Sequence, residues 1–160
     1  MQKLKTLYVC ESIILNFYIK IIYNKIDPVF FRKYIVNELN KPTSEKVFIF
    51  ASNWGLSSLF RAKLWSVDNT FSIAPQNFYQ VMNILAFDEI NQIWSPCLFA
   101  FMSRKTQRSY DEIFSYIQSD CQSKQIVLNV KYVLCDFEKA IHNSLLKYLK
   151  VKILDVFFTL

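Results

Sequence analysis

Residues 130–149, VKYVLCDFEKAIHNSLLKYL, decide the fold class, because a strand in this stretch runs directly into a helix. Residues 130–135 form a short, nearly continuous apolar run, which is typical of a strand buried at the centre of a sheet. The apolar residues that follow fall on one helical face: Phe137, Ala140, Ile141, Leu145, Tyr148 and Leu149. A further apolar run at 151–158 predicts another strand, and together these segments indicate an α/β fold.

A helix and three neighbouring strands are predicted upstream of this stretch. Ser109 and Glu112 form an S-x-x-E capping box at the start of the helix. Its apolar stripe consists of Tyr110, Ile113, Phe114, Ile117 and Cys121. The strands are predicted at 64–71, 78–87 and 93–102. The resulting order is β-β-β-α-β-α-β, a mixed sheet of the kind found in ribonuclease-H-like folds, in which the first and fourth strands lie side by side.

Residues 1–45 are predicted to form a helical N-terminal extension to a domain at 46–160. Asp27 and Pro28 match the N-cap and the first-position proline of a helix. Helical spacing continues through Phe31, Tyr34, Ile35 and Leu39. The segment KPTS at 41–44 interrupts this pattern, so we expect the boundary between the two parts there.

The composition indicates a folded chain without a cysteine-based site. Of the 160 residues 52% are hydrophobic, and the net charge of +6 fits a polyanion partner but also many unrelated proteins. Four widely spaced cysteines predict neither a zinc site nor a disulfide framework, and we expect reduced, buried thiols. They are Cys10, Cys97, Cys121 and Cys135. The apolar run 7–23 contains Glu11, Asn16 and Lys20, which favours a buried amphipathic helix over a membrane span.

Two aspartates follow the apolar residues of the predicted central strands. Asp68 lies in the first strand and Asp136 directly follows the fourth. A carboxylate at the end of a buried strand is costly unless it is paired or binds a cation, and Mg²⁺ offsets the repulsion between two carboxylates. Spacing alone favours the alternative in which Asp68 begins a turn and Asp136 caps the next helix, since aspartate is a common capping residue.

The motifs around these aspartates resemble those of MULE (Mutator-like element) transposases. The segment VDNTFSIAPQNFYQ at 67–80 resembles the family's D-G-T-F…P…F-x-Q signature. WSPCLFA at 94–100 and SRKT at 103–106, with Tyr110 downstream, look like its third strand and its "K-T…Y" motif. CDFEKAI at 135–141 is similar to the family's "D-F-E-x-A" motif.

This resemblance, which covers 47–160, implies DNA strand cleavage and transfer by a D-D-E triad with Mg²⁺ or Mn²⁺. Asp68 and Asp136 match the first two acids of the triad, and the resemblance makes them the candidate catalytic residues and metal ligands. Glu138 matches the motif glutamate, and we interpret it as a solvated first-turn residue that interacts favourably with the helix dipole.

The resemblance also implies DNA as the partner, a possible oligomer of transposase chains, and a nuclear or otherwise intracellular location without a membrane. Arg104, Lys105 and Arg108 lie before and at the start of the predicted helix and are the candidate phosphate contacts. The alternative for these residues is a solvated helix start without a ligand.

The chain departs from the family pattern in ways that bear on activity. Asn69 replaces the glycine after the first aspartate, and Val156 and Thr159 occupy the positions of a C-x-x-H pair. The third acid belongs to a helix beyond residue 160, so we expect a fold that is incomplete at its C-terminus and a transposase-derived fragment with little activity alone. Two alternatives are an enzyme that takes its third acid from a partner chain or another exon, and a non-catalytic DNA-binding or protein-interaction module.

Overall fold

The computed structural model describes residues 30–37, 45–70, 74 and 77–155. Their strands are β1 (Phe30–Asn37), β2 (Glu45–Ala51), β3 (Leu64–Thr70), β4 (Gln80–Asp88), β5 (Ile93–Met102), β6 (Tyr132–Cys135) and β7 (Lys152–Asp155). Their helices are α1 (Asn53–Arg61), α2 (Gln107–Ser123) and α3 (Lys139–Tyr148). All seven strands belong to one sheet in the order β1-β2-β5-β4-β3-β6-β7.

The sheet is mixed, as the order of apolar segments predicts. Antiparallel pairs join β1 to β2, β2 to β5, β5 to β4 and β4 to β3. By contrast, β3 pairs with β6, and β6 with β7, in parallel. The predicted contact between the first and fourth strands of the β-β-β-α-β-α-β order is therefore confirmed as the β3–β6 pair. The predicted strand 93–102 coincides with β5.

The prediction of a helix around Phe31, Tyr34 and Ile35 is wrong, because these residues lie in β1 and pair with β2. Five of the eight β1 residues, FFRKYIVN, are aromatic or β-branched, which favours a strand once a partner edge is available. Asp27, Pro28, Leu39 and the run 7–23 lie outside the described residues. The division at residues 45 and 46 stays a prediction, although β1 pairs across it.

Helix α1 was not predicted, and it begins at a side-chain cap. The Ser52 hydroxyl accepts a hydrogen bond from the Gly55 backbone N–H at 2.8 Å, which satisfies one of the free donors at the helix start. A β-carbon at Gly55 would lie only 2.6 Å from the Cys97 carbonyl oxygen. Glycine therefore allows α1 to approach β5 closely.

The N-cap of helix α2 lies three residues before the predicted cap, Ser109. Its N-cap is Thr106, whose hydroxyl accepts from the Ser109 N–H at 3.2 Å. Ser109 is buried in the first turn and donates its hydroxyl to Glu45 at 3.1 Å. The predicted S-x-x-E capping box is thus wrong in register, because the motif T-x-x-S at 106–109 caps the helix instead.

The helices cover one face of the sheet and form the main core. Trp65 and Val67 of β3 point into this core, and the Trp65 indole donates to the Leu59 carbonyl at 3.0 Å. A second cluster on the other face contains Phe48, Phe50, Val81, Phe99 and Phe101. Among the described residues, no helix is long and apolar enough to cross a bilayer.

Candidate functional site at the ends of two parallel strands

The two candidate aspartates lie at the same end of adjacent parallel strands. The last residue pair between β3 and β6 joins Val67 to Cys135. The next residue along each strand is an aspartate, Asp68 on β3 and Asp136 after β6. Neighbouring strands are about 4.8 Å apart, so the continued register brings these two residues beside each other. Both residues are exposed.

Asp68 also lies opposite Asn83, a residue of the neighbouring antiparallel strand whose side-chain oxygen is buried. Val67 points into the helix-covered core, so Asp68 points to the opposite face by strand alternation. Its direct partner on β4 is Asn83, and directly opposed residues on antiparallel strands share a face. The Asn83 side-chain oxygen Oδ1 is buried and has no hydrogen-bond partner among the described residues.

Asp136 does not cap helix α3. The N-cap is Glu138, which makes no side-chain capping bond. The backbone carbonyl of Asp136 instead accepts from the Glu138 N–H at 2.7 Å and lies 3.0 Å from His142 Nε2. The alternative that Asp136 is a capping residue is therefore wrong, and its carboxylate is not used to start the helix.

A network of hydrogen bonds joins residues that are close in sequence to the two aspartates. Gln80 Nε2 donates to Asn69 Oδ1 at 3.3 Å and to the Tyr110 hydroxyl at 2.8 Å. The Tyr110 hydroxyl donates to Glu138 Oε2 at 3.2 Å, and Lys105 Nζ lies 3.0 Å from the same oxygen. The network therefore connects the residue after Asp68 to the first turn that follows Asp136.

The interpretation of Glu138 as a solvated residue is wrong. Its side chain is only 15% exposed, because Lys105 and Tyr110 both contact the carboxylate. Tyr110 is fully buried on α2, and burial raises the pKa of its phenol well above the usual value. Gln80 is also fully buried, and its Oε1 has no hydrogen-bond partner among the described residues.

The three candidate phosphate contacts lie at this same end of the sheet. The Lys105–Glu138 ion pair fixes the loop after β5 next to the turn after β6. Arg104, Lys105 and Arg108 are all exposed. The start of α2, a position that favours anions, therefore lies at the same end of the sheet as the two aspartates.

In the part of the chain that the structure describes, no group of three or more His, Cys, Asp and Glu residues is arranged to hold a metal ion. The described cysteines, Cys97, Cys121 and Cys135, are buried thiols, as predicted. Cys10, Val156 and Thr159 lie outside the described residues.

Several residues of the polar network were not predicted as site residues. Asn69, Gln80, Tyr110 and Glu138 were recognised only as letters of motifs or as a member of an apolar stripe. The sequence did contain one indication of these site residues. The motifs at 67–80 and 135–141, which lie next to predicted strand ends, contain the polar residues Asn69, Gln80 and Glu138.

The element order and the paired aspartates fit the transposase class. Comparison with known families identifies the family within this class. The model of the MULE transposase domain matches residues 64–149, from the first residue of β3 to just beyond α3. This is more than half of the chain, so the chain belongs to the MULE transposase domain family. No curated protein and no solved structure matches it.

Proposed function

We propose that this chain is a ribonuclease-H-like, transposase-derived domain that binds DNA and holds Mg²⁺ or Mn²⁺ through Asp68 and Asp136. The observation that carries the proposal is the parallel β3–β6 register, because each aspartate directly follows its last residue pair. The MULE family match includes both strands. A DNA substrate implies action in a nuclear or other DNA-containing compartment.

The side chains at this strand end fit a hard divalent cation. Mg²⁺ and Mn²⁺ prefer oxygen donors, and Asp68 and Asp136 offer exposed carboxylates. The buried, unpartnered Oδ1 of Asn83 is a third oxygen opposite Asp68. A bound ion of this kind would supply Lewis acidity and offset negative charge during phosphoryl transfer. The aspartates hold and orient it, and the nearby cations would orient the DNA strand.

We further propose that this stretch has little strand-cleavage activity by itself. Mg²⁺ demands near-octahedral coordination, and two carboxylates leave most of its positions to water. Glu138 cannot readily complete the set, since Lys105 and Tyr110 already engage its carboxylate. An added third carboxylate, from another chain or segment, would be needed for full activity.

The DNA-binding part of the proposal concerns Arg104 and Arg108, which are exposed at the start of α2. Fluorescence anisotropy with a labelled duplex, repeated at several salt concentrations, tests it. Replacing both arginines by alanine should reduce the slope of log K against log salt by about 2, or about 1 per lost phosphate contact. The matched control replaces Lys63 and Lys124, whose cations pair with Glu89 and Asp120 elsewhere. Equal slopes for the two double variants would contradict this use of α2.

A non-catalytic DNA-binding module is the second candidate. It is favoured by the lack of a three-ligand group among the described residues, whereas the cations at α2 need no metal to bind phosphate. The two candidates differ in metal dependence. A module without a metal site binds duplex equally in chelator and in Mn²⁺. Stronger duplex binding in Mn²⁺, lost on Asp68→Asn, supports the metal-dependent domain.

A further inference from the structure

We propose that Tyr110 is a positioning residue that holds the ends of β3 and β6 in the arrangement needed for shared metal binding by Asp68 and Asp136. This inference rests on the proposed metal site. It assigns to the polar network a role beyond satisfying buried groups. The network joins four parts of the chain: β3, β4, α2 and the turn before α3.

The donor and the acceptor of the two bonds to the Tyr110 hydroxyl can be assigned from the charge of Glu138. Glu138 in its carboxylate form can only accept, so the Tyr110 hydroxyl donates to it. The phenol oxygen then accepts from Gln80 Nε2 at 2.8 Å, and the same amide nitrogen lies 3.3 Å from both Asn69 Oδ1 and the Met102 sulfur. The Glu138 carboxylate therefore orients the phenol hydroxyl, and the phenol oxygen in turn helps to hold the Gln80 amide beside Asn69.

The ends of this network are the neighbours of the two aspartates. Asn69 directly follows Asp68, and Glu138 lies two residues after Asp136. Lys105 holds the Glu138 carboxylate from the other side at 3.0 Å. A change at the phenol would therefore reach both strand ends, through Gln80 and Asn69 on one side and through Glu138 on the other.

Tyr110 is well suited to act as a fixed reference for this network. Its ring is fully buried in the main core, and it lies in the first turn of the 17-residue helix α2. Gln80 is equally buried and leaves its Oε1 without a partner among the described residues. Leaving a buried carbonyl oxygen unsatisfied is unfavourable. The Gln80 side chain therefore donates from Nε2 to Tyr110 and Asn69, although its own carbonyl oxygen accepts no hydrogen bond from the described residues.

The matched control is another partly buried hydrogen bond, which joins α2 to α3. Ser144 is fully buried and donates to Asp111 Oδ1 at 2.6 Å. It joins the same two structural regions as the Tyr110–Glu138 bond but contacts neither Asn69 nor Gln80. Ser144→Ala therefore removes a comparable structural bond, whereas Tyr110→Phe keeps the ring and removes only the hydroxyl.

The experiment measures the Mn²⁺ dissociation constant of the full chain from the signal of free Mn²⁺ in electron paramagnetic resonance, together with the melting temperature. Tyr110→Phe should weaken Mn²⁺ binding by about 10-fold, the lower end of effects seen for residues that orient metal ligands. Ser144→Ala should lower the melting temperature but change the dissociation constant less than about twofold. Glu138→Gln should also weaken binding, and it serves if Tyr110→Phe does not fold.

The possible outcomes separate the inference from the function on which it rests. Wild-type affinity in folded Tyr110→Phe and Glu138→Gln, with a lower melting temperature, would overturn the positioning role and leave the metal site intact. An equal loss of affinity in Ser144→Ala would overturn it as well, because general destabilisation would then explain the effect. Failure of the wild-type chain to bind Mn²⁺ would refute the proposed metal site, and the positioning role with it.

Discussion

Replacing the single glycine of the chain by alanine should destabilise it, even though alanine is the better helix former. A β-carbon at Gly55 would lie 2.6 Å from the Cys97 carbonyl oxygen, whereas ordinary contact begins at 3.4 Å. Helix α1 would have to move away from β5 by about 0.8 Å, the difference between these distances. The obstructing atom belongs to the backbone, so it cannot rotate aside as a flexible side chain would.

The expected size of the effect follows from two opposing contributions. Overpacking typically costs about 1–3 kcal/mol, and the upper half of this range applies because the neighbour is a central strand. Alanine regains about 1 kcal/mol of helix propensity over glycine. The net loss for Gly55→Ala is therefore about 1–2 kcal/mol, which corresponds to a melting temperature lower by roughly 2–8 °C for a chain of this size.

Urea unfolding followed by circular dichroism measures this loss. Ser57→Ala is the control, because Ser57 is exposed on the same helix and the substitution changes propensity without adding a contact. Ser57→Ala should be neutral or slightly stabilising. If Gly55→Ala were as stable as the Ser57→Ala variant, the close approach of α1 to β5 would be refuted.

Three further predictions concern other parts of the described chain. Ser52→Ala removes the cap of α1 and should lower the free energy of unfolding by about 1 kcal/mol; an unchanged urea midpoint would argue against the cap. Burial raises the pKa of the Cys97 thiol to about 12, so alkylation of this thiol near pH 8 should become fast only in denaturant. Mass spectrometry locates the label, and rapid labelling of Cys97 in the native chain would contradict its burial. The raised pKa of the Tyr110 phenol means that the native state keeps a proton that the unfolded state releases above about pH 10. The contribution of the protonated phenol to stability is present below that pH and is lost as the pH rises. The free energy of unfolding should therefore fall less steeply above pH 10 in Tyr110→Phe than in the wild type. Equal slopes of this free energy against pH in the two proteins would contradict the link between the Tyr110 proton and folding.

Segments with a strong local pattern were predicted well. The ten-residue strand β5 was predicted at both ends, because it is apolar, long and bounded by polar residues. The contact of β3 with β6 was predicted because the element order is that of ribonuclease-H-like folds, in which the first and fourth strands are neighbours. Such features depend on periodicity and topology, which are visible in one sequence.

The failures occurred where a distant contact decides the local structure. The spacing in β1 fits a helix or a strand, and its pairing with β2 selects the strand. Helix α1 contains a glycine in its first turn, which argues against a helix until the contact with Cys97 is known. The cap of α2 was shifted because both Thr106 and Ser109 are suitable capping residues.

The candidate site was predictable only in part for the same reason. Asp68 and Asp136 stand out because a charge follows a run of apolar strand residues. The bonds from Gln80 to Tyr110 and from Tyr110 to Glu138 span 30 and 28 residues, respectively. Helical spacing identifies the Tyr110 ring as part of the core but contains no information on the partner of its hydroxyl.

Calorimetric titration of the wild-type chain with Mn²⁺, alongside Asp68→Asn and Asp136→Asn, tests the central claim most directly. Asp120→Asn is the control, because Asp120 pairs with Lys124 near the other end of α2. If Asp68 and Asp136 share one ion, the wild type and the control should bind Mn²⁺ saturably, and either substitution at the site should abolish binding. Saturable binding that survives both substitutions, or no binding by folded wild-type protein, would contradict the claim that the two strand ends form a metal site.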